Sequence, residues 1–322
     1  MKRFYLSPPL AALLLAIILF LLSGLLPNGY GSDLDVARAQ AANILRLSVF
    51  LGVIAAGQTL VIISGSEGID LSAGSVVTLS AILAYVIVNG DDGKVLIALL
   101  VAVAAGALVG LLNGLGITFL KVSPFVMTLG MSGVVTGAII VLNHGNVSGK
   151  VSPLMTRLIA RPLSPDLQIP NAIIIWLIFG VLMWLLLERT AFGRNLFAIG
   201  VNRVTARLSG VNVTWMNIAT YALAGALAGF GGFLVVGNTG VVFIALGQPF
   251  LFPSIAAVAV GGTLLSGGRG SYWGTMAGAI VLTLITSLLT TMQMPESVRR
   301  MVLGATLLIL ISIYGRQRAL RQ

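Results

Sequence analysis

Two carboxylates three residues apart, Glu67 and Asp70, stand in the run Ser64-Gly65-Ser66-Glu67-Gly68-Ile69-Asp70-Leu71-Ser72-Ala73-Gly74-Ser75, between two long apolar stretches. At membrane depth each would cost about 2.5 to 3.5 kcal/mol on insertion scales unless it faced protein or water. An interrupted helix there also carries free backbone N–H and C=O groups that lipid cannot satisfy. The pair fits a discontinuous helix beside a transport pathway. It equally fits local capping, in which Asp70 serves as an N-cap, Ser72 or Ser75 helps satisfy the first turn, and Glu67 sits in a tight cytoplasmic turn.

Other chemistry is thinly supplied. The single histidine, His144, lies beside Gly145 with no ligand partners at metal-binding spacing. There are no cysteines, hence no disulfide framework and no thiolate. Gly149-Lys150 is followed by Val151 and lacks the earlier glycine of a nucleotide-binding P-loop. No Gly-x-Ser-x-Gly elbow or His-Glu-x-x-His helix occurs, and one histidine cannot serve a Ser-His-Asp arrangement. These absences point to a chain with no catalytic residues, no metal site and no cofactor of its own.

The second polar feature lies between Trp184 and Trp215, where the chain reads Glu188-Arg189-Thr190-Ala191-Phe192-Gly193-Arg194 and later Asn202-Arg203-Val204-Thr205-Ala206-Arg207-Leu208-Ser209-Gly210. Asn202 suits an N-cap and Gly210 the C′ stop of a helix of about two turns. Val204 and Leu208 share one face of it, Arg203 and Arg207 a neighbouring one. A helix so short is marginal alone in water, so either it docks on something or the segment is a solvated loop whose arginines enforce topology.

The elements that must position these residues follow from composition. The chain is 57% hydrophobic and 9% charged, where soluble domains are about a quarter charged. A spanning helix needs about twenty apolar residues. About ten such stretches occur, near residues 8–26, 44–64, 70–89, 95–118, 122–143, 170–188, 214–238, 253–266, 272–292 and 298–315. We therefore expect an all-α polytopic membrane protein with about ten transmembrane helices, at least one broken or re-entrant, and both termini cytoplasmic. One transmembrane domain covers 1–322, with 189–213 a cytoplasmic loop inside it. With that orientation the 19 basic residues divide eleven inside to eight outside, which agrees with the positive-inside rule. The outer basic residues are interleaved with Asp33, Asp35, Asp91, Asp92, Asp166 and Glu296. The formal charge of +10 thus speaks for orientation in lipid, and no basic surface with stacking aromatics suggests nucleic acid. Ala37-Arg38-Ala39 lies too far beyond the first apolar run to end a signal peptide, so that run reads as an uncleaved span.

Small residues recur every fourth position at Gly106, Gly110 and Gly114, at Gly270, Gly274 and Gly278, and at Gly225 and Gly229. Such stripes let helix backbones approach closely. The junctions Lys121-Val122-Ser123-Pro124-Phe125 and Phe252-Pro253-Ser254 hint at an internal repeat.

Four ordered blocks, spread over roughly residues 43–314, carry a resemblance. They are Gly57-Gln58-Thr59-Leu60-Val61-Ile62 with Gly68 to Ser75; Asn113-Gly114 with Pro124-Phe125-Val126-Met127-Thr128-Leu129-Gly130; Gly193-Arg194 through Ala198-Ile199-Gly200-x-Asn202 to Ala206-Arg207-Leu208-Ser209-Gly210; and Gly261 to Gly270. Together they resemble the permeases of bacterial ABC importers for monosaccharides, the ribose, xylose and galactose type, in the superfamily shared with branched-chain amino-acid permeases. The resemblance implies that Gly193, Arg194, Asn202, Arg203, Ala206, Arg207, Leu208, Ser209 and Gly210 belong to a coupling helix seated on a separate cytoplasmic ABC ATPase. It further implies a second permease chain, identical or related, a periplasmic sugar-binding protein, membrane lipid around the spans, and location in the bacterial inner membrane. Glu67, Asp70, Ser72, Asn113, Phe125 and Thr128 are the candidate substrate-pathway residues, since polar and aromatic groups at span ends can meet hydroxyls and ring faces; each also has an ordinary packing role open to it.

Two departures stand out. Ser66-Glu67 is interposed where the family commonly reads Ser-Gly-Gly-Ile-Asp-Leu-Ser, and Leu251-Phe252-Pro253-Ser254 replaces a usual Glu-Leu-Asp stretch. The alternatives are an ion-coupled secondary transporter using Glu67 and Asp70, a permease of the same superfamily for a non-sugar solute, and a non-transporting scaffold.

Overall fold

The structure, a computed structural model, describes residues 7–26, 28–65, 68–143, 147–162 and 170–319. Apart from an isolated bridge between Pro162 and Pro170, every regular element among them is helical. In chain order these are α1 (Pro8–Gly24), α2 (Leu34–Ile63), α3 (Ala73–Val88), a 3-10 turn (Asp92–Lys94), α4 (Val95–Phe119), α5 (Pro124–Asn143), α6 (Pro153–Ile159), α7 (Asn171–Arg189), α8 (Ala191–Val201), α9 (Arg203–Leu208), α10 (Val213–Thr239), α11 (Gln248–Val260), α12 (Tyr272–Thr291) and α13 (Glu296–Ala319). Each of the ten apolar stretches falls in a helix. Six helices, namely α2, α4 with the turn before it, α5, α7, α10 and α12, are long and apolar enough to cross a membrane; α1, α3 and α11 are shorter apolar helices.

Some boundaries differ from those read off hydropathy, and caps explain why. Helix α2 starts at Leu34, ten residues before its apolar run, because Asp33 Oδ1 accepts hydrogen bonds from the Asp35 and Val36 amides at 2.9 and 3.1 Å. Between the apolar stretches 122–143 and 170–188, Ser152 accepts from the Met155 amide at 3.1 Å and Pro153 takes the first helical position, starting α6. Helix α11 runs from Gln248 to Val260 instead of 253–266. The chain beyond it turns through Gly262, Gly267 and Gly268, all at positive φ, a backbone only glycine adopts without penalty.

Helix α10 is the hub, packed by α2, α3 and α4. The stripe on α4 does what its spacing suggested: Gly106 lies against Gly225 and Gly229, Gly110 against Tyr221, and Gly114 against Ile218. Rising numbers on α4 meet falling numbers on α10, so the two run antiparallel with backbones in contact. On α12, Gly274 and Gly278 face Gly261 and Ala257 of the α11 end in the same way. A buried relay fixes α7 to α2 and α12, with Trp176 Nε1 donating to Tyr272 Oη and Tyr272 Oη donating to the Gly52 carbonyl, each at 3.0 Å.

Two of the shorter helices begin inside the bundle. After α2 the chain doubles back, so that Asp70 lies beside Gln58, six residues before the α2 C-cap at Ser64 and therefore about 9 Å back along the helix. Helix α3 starts from there. The N-terminus of α11 leans on the second turn of α3, where the Gly247 amide donates to Thr78 Oγ1 at 3.0 Å.

Candidate functional site

Just ahead of α3, the backbone of Asp70, Leu71 and Ser72 is held by side chains. Gln58 on α2 grips Asp70 twice, its Nε2 donating to the Asp70 carbonyl at 2.6 Å and its Oε1 accepting the Asp70 amide at 3.2 Å. The Leu71 amide donates to Thr128 Oγ1 on α5 at 3.0 Å. The Ser72 amide donates to Asp70 Oδ1 at 2.9 Å, and the Ser72 hydroxyl donates to the same oxygen at 2.6 Å. Ser72 Oγ in turn accepts from Asn113 Nδ2 on α4 at 2.9 Å. Peptide groups that lipid could not serve thus find side-chain partners on α2 and α5, while α4 reaches the Ser72 hydroxyl.

Four of the candidate pathway residues, Asp70, Ser72, Asn113 and Thr128, therefore meet in one buried hydrogen-bonded cluster. Phe125 stands outside it on the first turn of α5, 54% exposed. Glu67 lies outside the described residues, as does His144. Asp70 acts two residues earlier than the sequence reading placed it: the N-cap is Ser72, whose side chain makes no cap bond, and Asp70 closes the turn leading into it. Gln58, the residue that pins the break, did not stand out in the sequence. Its signal was a long polar side chain inside a largely apolar run, five residues before the end of that run at Ile63.

The second polar feature folds into two short helices. Thr190 breaks α7 from α8 with extended backbone, its Oγ1 donating to the Leu186 carbonyl at 2.6 Å and accepting the Gly193 amide at 3.2 Å. Asn202 breaks α8 from α9 in the same way, Oδ1 accepting the Val204 and Thr205 amides at 2.9 and 3.1 Å. Gly210 at φ 88° ends α9, its amide on the Arg207 carbonyl and the Ser209 amide on the Thr205 carbonyl, each at 3.0 Å. Ala206 points into the protein, and Gly193 is buried in α8. Arg194, Arg207, Leu208 and Ser209 point outward. Val204 and Leu208 are 69% and 84% exposed, and Trp215 near the start of α10 is 63% exposed. Among the described residues no ion pair neutralises Arg189, Arg194, Arg203 or Arg207. A short helix displaying two aliphatic side chains within uncompensated positive charge is a surface for an apolar groove with an acidic rim.

What anchors this stub is a glycine contact. Gly200, in the last turn of α8, lies against the Ile63 carbonyl and the Gly268 backbone, and Gly65 lies against Gly267 and Gly200. The Gly268 amide donates to the Ile63 carbonyl at 2.9 Å. The stub, the end of α2 and the loop before α12 therefore share backbone-to-backbone contacts with no side chain between them. Residues 200 and 267–268 belong to two of the sequence blocks, and the end of α2 lies between the halves of a third. Displacing α8–α9 as a unit must displace the α2 end that leads into the break.

A scan of family models matches residues 40–311 to the branched-chain amino acid transport system permease component. Among curated proteins the chain is 34% identical to the ribose import permease protein RbsC of Bacillus subtilis over 86% of this chain and 85% of that one. It is 30% identical to the fructose import permease protein FrcC of Rhizobium meliloti, over 84% and 76%. Identity to the galactose/methyl galactoside import permease protein MglC of Escherichia coli is 32%, over 86% and 88%. No solved structure matches.

Proposed function

Because the chain belongs to the branched-chain amino acid transport system permease component family, we infer that it is the membrane-spanning permease subunit of an ATP-driven ABC importer that carries a monosaccharide from periplasm to cytoplasm. The family description names amino acids, but the relatives that cover most of both chains are ribose, fructose and galactose import permeases. Sugar is therefore the substrate class we adopt, with a non-sugar solute the second reading. An ion-coupled mechanism is not favoured, since the relatives are import permease components.

The observation that carries the reading is the exposed, cationic α9 tied through Gly200 to the end of α2. In this account residues 189–213 form the cytoplasmic coupling loop of one permease domain over 1–322, ten helices cross the inner membrane, and both termini are cytoplasmic. ATP is hydrolysed on a separate subunit whose groove takes Val204 and Leu208, with acidic side chains facing Arg194 and Arg207. Nucleotide-driven closure of that subunit pushes the stub, the glycine contact carries the push to α2 and the break, and the spans tilt between outward- and inward-open states. A second permease chain completes the pore, and a periplasmic binding protein delivers the sugar. Asp70, Ser72, Asn113 and Thr128 hold the inner wall beside the pathway, while the exposed Phe125 offers a ring face to sugar.

The test is the double change Arg207→Ala with Leu208→Ala in the complete transporter. We expect the permease to insert normally and the ATPase to be lost from it, or retained without driving uptake. Parent-like uptake with full ATPase recovery would remove α9 from the coupling role.

A further inference from the structure

Between the stub and the break lies a polar track that the coupling account leaves unused. Arg203, the first residue of α9, turns back toward α10 and donates from Nη2 to Asn217 Oδ1 at 3.1 Å, while its Nε is buried with no partner. One helical turn beyond Asn217 on the same face of α10 stands Tyr221, only 2% exposed. It forms one buried cluster with Ala224 and with Val61 near the end of α2, against which Ile117 of α4 packs. Its hydroxyl is also buried and makes no hydrogen bond. Val61 also lies against Gly68 in the break, and Gln58, which shares a face of α2 with Val61 at i,i+3 spacing, holds Asp70, so the tyrosine cluster and the Asp70 turn meet the same stretch of α2. Both hydrogen bonds that the Asp70 carboxylate accepts go to Oδ1, so Oδ2 keeps its accepting capacity.

A buried hydroxyl without a partner is uncommon, and it calls for a reason other than packing, because phenylalanine would fill the same space at no polar cost. We propose that Tyr221 is a positioning residue for transport: its hydroxyl is unpaired in the conformation seen here and donates to the Asp70 carboxylate when Arg203 is moved with α9. Arg203 and Asn217 tie α9 to the turn of α10 below the phenol, and Asp70 with Ser72 and Asn113 ties the far side to the start of α3 and to α4. The ring is thus placed to bias the break according to the position of the stub. This inference rests on the importer reading given above, and it adds a second connection beside the glycine contact.

The experiment is Tyr221→Phe in the complete transporter, that is permease, ATPase and binding protein reconstituted in liposomes, assayed with whichever of ribose, fructose or galactose the parent takes up. We expect parent-like ATPase recovery, thermal stability equal to or above the parent, and uptake per ATP hydrolysed lower by about tenfold, the worth of one hydrogen bond to a charged acceptor. A second variant, Asn217→Leu, frees Arg203 from α10 and should act through the same route. The double variant should then lose no more than the worse single one. Parent-like uptake by Tyr221→Phe, a loss that tracks falling stability, or independent multiplying losses in the double variant would each overturn the role of Tyr221. A parent permease that recruits no ATPase would overturn the importer reading itself, and this inference with it.

Discussion

Replacing Gly200 by alanine tests the contact on which the coupling account depends. A Cβ at this position would overlap the Ile63 carbonyl oxygen and the Gly268 nitrogen and lie 2.9 Å from Gly268 Cα, where ordinary contact begins at 3.4 Å. All three atoms are backbone, so no rotamer change can relieve the clash. The displaced atoms are also the two ends of the 2.9 Å hydrogen bond from the Gly268 amide to the Ile63 carbonyl. Overpacking costs about 1–3 kcal/mol, a strained or lost neutral hydrogen bond about 1 kcal/mol, and the alanine recovers about 1 kcal/mol of helix propensity. The net is a destabilisation of about 1–3 kcal/mol concentrated where α8, α2 and the loop before α12 meet. The matching control is Gly130→Ala on α5, where an added Cβ meets nothing within 4 Å; there the same change should be neutral or stabilising by up to about 1 kcal/mol in the isolated permease. Thermal unfolding of the two purified variants, with ATPase recovery measured alongside, separates the cases. If Gly200→Ala matched the parent in stability and uptake, the backbones would not be in contact and the push from the stub would have no such route to α2.

Ser72→Ala removes the hydroxyl between Asp70 and Asn113 and strands an amide whose Oδ1 is already buried without a partner; a loss of about 2–4 kcal/mol is expected, and Asn113→Leu in the same chain should restore part of it in a double-mutant cycle. Tyr272→Phe leaves the Trp176 indole N–H and the Gly52 carbonyl unpaired in the core, for about 1–3 kcal/mol by thermal unfolding. Glu296, at the start of α13, accepts from Arg300 at 2.9 Å and lies 2.8 Å from Arg299; the Arg300 hydrogen bond first, then the two positive charges, hold its pKa below the ordinary 4.5. A carboxylate lowered on folding stabilises above its unfolded pKa and loses that contribution as pH falls through the lowered folded value. The amides of 296–300 should therefore lose hydrogen-exchange protection below about pH 4.5, by a small amount because the pair is exposed, and Glu296→Gln should abolish the pH dependence.

Much of this was legible in the chain before folding. Apolar runs located ten helices because bilayer-length hydropathy is a strong signal, and Asn202 with Gly210 bounded α9 because caps are local chemistry. The polar run 64–75 marked the boundary between α2 and α3, with a discontinuous helix and a capped turn both open to it. What hydropathy could not reach were features set by distant partners. The start of α2 at Leu34 depends on a cap hidden among mixed charges. The glycine contact of Gly65, Gly200 and Gly267 joins positions from 67 to 202 residues apart, and no periodicity relates them. The role of Gln58 comes from its reach to Asp70 across a helix boundary, which hydropathy does not register.

The stitching of the α2–α3 break also constrains how the protein is made. Leu71 depends on Thr128, 57 residues later in the chain, and Ser72 on Asn113, 41 residues later. At a synthesis rate of about 5–20 residues per second, the doubled-back segment waits about 3–11 seconds for α5 to arrive. During that interval Gln58 can already hold the Asp70 peptide groups, but the Leu71 amide can be served only by water or by the insertion machinery. The first three helices should therefore stay at the lateral exit of the translocon until the fifth leaves the ribosome, and a nascent chain halted before residue 128 should remain open to degradation.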